Sequence, residues 1–236
     1  MCVNRIESLL LFVVVHTTQA RPNCFPLWES GLGSQFLAFL RFKNQTTKLT
    51  SPSFILPFCS QCPDPSYCEQ ILILTFPLVG NYGVPSNEAD EYGLLKYFES
   101  DKIHIAGLIV QDYSHNYSHW QAIKSLSQWL KEHNIPALYN VDTRLITKKL
   151  CDSQSMLGKI VFKSSDAQSI TFYDPNETNL VAKVTCKQVK TYGAGNKFKV
   201  IAVDCGMKNN IIRMLVQRDM EVKVVPFDYN FLNEDY

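Results

Sequence analysis

KVIAVDCGMKNNIIRMLVQRDMEVKVV, residues 199–225, decides the fold class. Lys199–Val203 is an apolar, β-branched run, Gly206 interrupts it, and Asn209 to about Arg218 carries apolar residues at helical spacing. Glu221–Val225 is again strand-like, so the order strand, turn, helix, strand predicts a βαβ unit and an α/β fold with a parallel sheet. A lone βαβ unit leaves sheet edges and a helix face uncovered, so residues 199–236 are expected to be only the start of a doubly wound domain.

Upstream, Lys190-Thr191-Tyr192-Gly193-Ala194-Gly195-Asn196 carries two glycines and is read as a linker. Further back, Gln70–Phe76 and Ile103–Val110 are apolar runs of strand length, and Gly80-Asn81-Tyr82-Gly83-Val84-Pro85 supplies a tight loop after the first. Glu88, Asp90 and Glu91 place negative charge where a helix would begin, predicting one to about Glu99. Ser118-His119-Trp120-Gln121 has the form of a capping box, which predicts a helix through Leu130 with Asn134 as a left-handed stop. A shorter helix is expected from Asp142 or Thr143 to near Leu150, and strands at Leu157–Phe162 and Leu180–Val184. Met1 to Cys62 shows no sustained period and is expected to add little to the cooperative unit.

Apolar residues make up 46% of the chain, enough to fill a core, and the formal net charge is +1 with no basic block. Nucleic acid, which needs a stripe of cations, is therefore not an expected partner. No membrane partner is expected either, since the apolar run Leu9–Val15 is too short to span a bilayer. Met1–Ala20 has the layout of a short signal peptide, and Asn44, Asn116 and Asn176 each open a glycosylation triplet, which leaves a secreted domain as one reading. Cys59-Ser60-Gln61-Cys62 has half-site spacing, but neither a second pair nor a nearby His completes a zinc shell, and no metal is assigned.

Single reactive residues favour structural readings. Cys205, between a strand end and a helix start, has a nucleophile's position but no visible base in sequence. His119 is expected to be packed or at the surface beside Trp120. Asp142 is expected to cap its helix and Arg144 to pair with a carboxylate. Gly206 and Lys208 lack the spacing of a phosphate-binding loop, so a tight strand-to-helix turn is expected there. No residue of the chain is assigned as catalytic, cofactor-binding or metal-binding.

From about Asp64 onward, ordered motifs carry a family resemblance. Asp64-Pro65-Ser66-Tyr67, Pro77-Leu78-Val79-Gly80-Asn81-Tyr82-Gly83, His119-Trp120 and Val141-Asp142-Thr143-Arg144 are followed by Leu157-Gly158-Lys159 and Val203-Asp204-Cys205-Gly206-Met207-Lys208-Asn209-Asn210. The sequence resembles the small subunit of glutamine-dependent carbamoyl-phosphate synthetases, and Asp112-Tyr113-Ser114, His119-Trp120 and Lys190-Thr191-Tyr192-Gly193 lean toward animal urea-cycle enzymes, with the multifunctional pyrimidine-pathway protein similar there too. The resemblance divides the chain into a leader or unassigned segment at 1–62, the small-subunit N-terminal domain at 63–190, a linker at 191–198 and the start of a class I glutamine amidotransferase domain at 199–236. It implies a large synthetase portion as partner, in cis or in trans, which would use ATP and bicarbonate; no cofactor is expected in this chain. The family's Gly-x-Cys-x-Gly elbow and its later His and Glu are not found, nor is the Phe-Asn-Thr-Gly stretch before Asp64. A structural and docking role without glutamine hydrolysis is therefore expected, with an interaction or vestigial module as the alternative. Mitochondrion and cytoplasm are both open as compartments.

Overall fold

A computed structural model describes residues 13–14, 16–17, 37–39, 62–76, 78–153, 156–158, 160–161 and 173–232. The fold is α/β, with two compact units, neither contiguous in sequence. One contains Met1–Phe58, Glu69–Val84 and Ile105–Asp174; the other contains Cys59–Cys68, Pro85–His104 and Pro175–Tyr236.

In the first unit, strands β1 (Ile71–Ile73), β2 (Leu78–Val79), β3 (Gly107–Ile109), β4 (Asp112–Tyr113) and β5 (Ala122–Lys124) precede helix α1 (Leu126–Glu132), strand β6 (Ala137–Leu138) and helix α2 (Thr143–Ser153). β6, β3 and β1 form a parallel sheet in that order, with Ala137 opposite Leu108 and Ile71 opposite Gly107. All three residues of both β1 and β3 are buried, as expected of parallel strands covered on both faces. Ile71, Ile73, Ile109, Val141 and Ile146 close the core, with Leu138, Leu150 and Ile160 packed against them. Leu37–Phe39, within the stretch expected to add little, pairs with both Val13–Val14 and Ile160–Val161, and His16–Thr17 pairs with Met156–Leu157. That expectation is corrected to this extent: short strands before residue 62 do enter ladders, which a test of sustained periodicity misses in two- and three-residue pieces.

The capping-box expectation moves by seven residues. Ser118 donates its N–H to the Asn81 carbonyl, Ala122–Lys124 is extended, and the helix begins at Leu126, with the Ser125 hydroxyl accepting the Gln128 N–H at 3.2 Å. Two Ser-x-x-Gln patterns follow one another here, and the second adjoins the buried Leu126, Trp129 and Leu130 that anchor the helix. Asn134 is left-handed at φ 56°, as expected. The strand expected at Leu157–Phe162 is divided into Met156–Leu157 and Ile160–Val161, while Phe162 lies outside the described residues.

In the second unit, helix α3 (Leu180–Val184), strands β7 (Lys190–Tyr192) and β8 (Phe198–Asp204), helix α4 (Asn209–Val216) and strand β9 (Met220–Pro226) follow one another. β8, α4 and β9 are the expected βαβ unit, parallel with Val200 opposite Val222. β7 pairs antiparallel on the other side of β9, so the start of the supposed linker is a strand. Leu180–Val184 is a helix rather than a strand: Asn179 accepts the Ala182 N–H at 3.1 Å, and this cap prevails over the strand preference of two valines. No helix forms at Glu88–Glu99. There the Asp90 carboxylate accepts N–H groups from Tyr92 and Leu94, Gly93 is left-handed, and Ala89 bridges Leu95, so side-chain bonds to the backbone displace the helical ladder. Leu94 nevertheless enters the core with Ile212, Val216, Val222 and Val224.

Candidate functional site

The carboxyl end of β8, where open parallel sheets usually take ligands, is the place to look for chemistry. The chain leaves β8 at the buried Asp204 and turns through Gly206, whose φ is +103°. A Cβ on Gly206 would lie 3.0 Å from Val184 Cγ2 and 3.1 Å from Pro65 Cβ, so both the conformation and the space require glycine. Asp204 Oδ1 accepts the N–H groups of Gly206 at 2.9 Å and Met207 at 2.8 Å, and its Oδ2 accepts that of Cys186 at 2.6 Å. The Asp204 carboxylate therefore holds a turn and a neighbouring segment, and leaves little free for a ligand.

The residues that follow act alike. Lys208 Nζ is 2.7 Å from Asp64 Oδ2, while Asp64 Oδ1 accepts the Ser66 N–H at 3.0 Å and caps the short 3-10 helix Pro65–Tyr67. Asn209 donates its side chain to the Phe98 carbonyl and its N–H to the Glu99 carbonyl, and the Asn210 N–H donates to the Glu99 carboxylate at 3.2 Å. Glu99 thus puts a negative charge on the N-terminal end of α4, where the helix dipole favours one. One turn on, Arg213 Nε donates to Asp90 Oδ2 at 2.6 Å and its Nη2 to the Leu95 carbonyl. Burial pushes the Asp90 carboxyl up, but the bonds from Arg213 and from the Leu94 and Tyr92 N–H groups outweigh it, and its pKa is lowered. Burial first, then the Asp64 charge, raises the Tyr67 hydroxyl, with Lys208 opposing.

Cys205 is exposed and has no hydrogen bond among the described residues. His104, also in this unit, is buried, and its Nε2 is 2.8 Å from Ser100 Oγ. Burial, helped by Lys102 and opposed by Asp64 and Asp204, pushes its pKa down to about 4. Such an imidazole is neutral near pH 7 but a weak base, and it holds a serine rather than a thiol. The sequence gives no sign of a role for His104, and it offers Asp90 and Glu99 only as parts of an expected helix and Asn209 and Arg213 only as parts of a strand-turn-helix stretch, not as partners. The four-residue spacing of Asn209 and Arg213 on one helix was the available signal for two of them.

The remaining motif residues lie in the first unit. Gly80 and Gly83 are left-handed, and a Cβ would lie 2.6 Å from the Tyr113 ring at the first and 2.7 Å from Ala122 Cβ at the second. The Asn81 carbonyl between them accepts the Ser118 N–H. Asp142 caps α2 as expected, accepting the Leu145 N–H at 2.9 Å. Thr143 is fully buried, its hydroxyl unbonded among the described residues, and Arg144 is exposed and absent from every ion pair among them. His119 lies between Tyr82 and Trp120 with ring centroids at 5.6 and 5.7 Å, and its Nδ1 accepts the Gln121 N–H. Hence Asp64, Pro65, Gly206 and Lys208 come together, while Gly80, Asn81 and Gly83 build a separate loop.

Among the described residues no three His, Cys, Asp or Glu side chains are grouped to hold a metal, and no helix is long and apolar enough to cross a membrane. Cys62 is buried and in no disulfide; Cys59, its partner in the half-site spacing, lies outside the described residues.

The family description "Carbamoyl-phosphate synthase small chain, CPSase domain" matches residues 55–160. Those residues belong to the carbamoyl-phosphate synthase small-chain family. The chain is 54% identical over 174 residues to the mitochondrial carbamoyl-phosphate synthase [ammonia] of Rattus norvegicus, a match covering 73% of this chain and 11% of the relative. It is 50% identical over 173 residues to the multifunctional protein CAD of Squalus acanthias, covering 73% of this chain and 8% of the relative. Against the arginine-specific small chain of Saccharomyces cerevisiae it is 42% identical over 205 residues, covering 85% of this chain and 49% of the relative. The chain thus spans about a tenth of the first two relatives and about half of the third. Within the small-chain domain lie Asp64–Tyr67, Gly80–Gly83 and Asp142–Arg144; Asp204, Gly206, Lys208 and Asn210 fall beyond residue 160.

Proposed function

We propose that this chain serves as the small-chain portion of a glutamine-dependent carbamoyl-phosphate synthetase, with a structural and docking role and no glutamine hydrolysis of its own. The observation that carries the reading is the engagement of the polar side chains from Asp204 to Arg213. Asp204, Lys208, Asn209 and Arg213 are bonded to Cys186, Asp64, Phe98 and Asp90, which leaves a scaffold rather than a constellation aimed at a ligand. Forming and hydrolysing a γ-glutamyl thioester needs a nucleophile, a base and an oxyanion site in one pocket, and Cys205 is exposed and hydrogen-bonded to no base among the described residues. ATP and bicarbonate would be used by the large synthetase portion, with this chain supplying none of their contacts. Mitochondrion or cytoplasm is the expected compartment.

Glutamine and the purified chain provide the test. No ammonia release is expected, and release that disappears in Cys205→Ser would overturn the scaffold reading. Sedimentation with a separately produced large synthetase portion is expected to show a complex; no association at high concentration would remove the docking role.

A further inference from the structure

We draw no further inference here: the strongest candidate, the outer edge of β8, which pairs only with β9 among the described residues and carries the exposed Phe198 and Val203, is an unpartnered sheet edge, and nothing in the structure shows what covers it.

Discussion

The first unit closes around aliphatic side chains from β1, β3 and α2, whereas the second adds to its own aliphatic core a set of polar ties, on and before α4, between separate pieces of chain. The contrast follows from what each unit is made of. Short parallel strands buried on both faces bring their own apolar surface, and their backbone bonds are satisfied by the ladder. Residues 85–104 form no regular element beyond Pro85, which ends the strand Val84–Pro85, and the isolated bridge Ala89–Leu95, so some of their carbonyls find partners elsewhere. Asn209 and Arg213 supply them at Phe98 and Leu95. Apolar runs visible in the sequence thus supply the first arrangement, while the polar ties of the second depend on side chains more than 100 positions away.

Ile109→Ala should have the largest effect. Ile109 is fully buried in the centre of the parallel sheet, and truncation to alanine leaves a cavity costing about 4 kcal/mol. Amide hydrogen exchange should then speed up in β1, β3 and β6 more than in β8 and β9. Equal acceleration everywhere would mean that the two units share one cooperative transition and that the contrast does not extend to stability.

Arg213→Ala should come next, at about 3 kcal/mol, because it strands a largely buried Asp90 carboxylate and frees the Leu95 carbonyl. Here exchange should accelerate at residues 88–98 and in α4. A loss below about 1 kcal/mol in urea unfolding would show the polar ties to be incidental.

Acid should separate the units by a smaller margin. His104 has its folded pKa lowered to about 4, so between the ordinary value of 6.5 and that value the unfolded chain binds the extra proton, and stability falls as pH falls through this window. The Asp90 carboxyl is likewise lowered, so its contribution is complete above the ordinary carboxylate value and is lost only as pH drops below it. Melting curves from pH 7 to 4 should therefore slope downward, and His104→Gln should flatten the slope without altering it below pH 4. An unchanged slope in that variant would exclude His104 as its source.

The βαβ unit was legible because its apolar runs and Gly206 are contiguous, and the cap at Asp142 because a side chain and its N–H partner lie three residues apart. The absence of a helix at Glu88–Glu99 was not legible. Its acidic start imitates a helix N-terminus, and the decisive partner of Asp90 is Arg213. Lys208 reads in sequence as part of a tight turn, but its tie to Asp64 joins residues far apart in the chain and leaves no periodicity to detect. Of the candidate site, the residue types were visible in sequence and their mutual engagement was not.

The smallest effect bears on the one helix whose start was misplaced. Ser118 and Ser125 each open a Ser-x-x-Gln pattern, so pattern alone cannot rank them. In the structure the Ser125 hydroxyl accepts the Gln128 N–H, while Ser118 offers only its backbone N–H, to Asn81. Ser125→Ala should therefore cost about 1 kcal/mol through an unsatisfied helix N-terminus, and Ser118→Ala less than about 0.5 kcal/mol, since an exposed hydroxyl without a cap bond is lost at little cost. Urea unfolding of both variants at one pH resolves a difference of that size. The reverse order would return the helix start to Ser118 and place Ala122–Lys124 in a helix rather than a strand, which would move Trp120 into a first helical turn and break its stacking on His119.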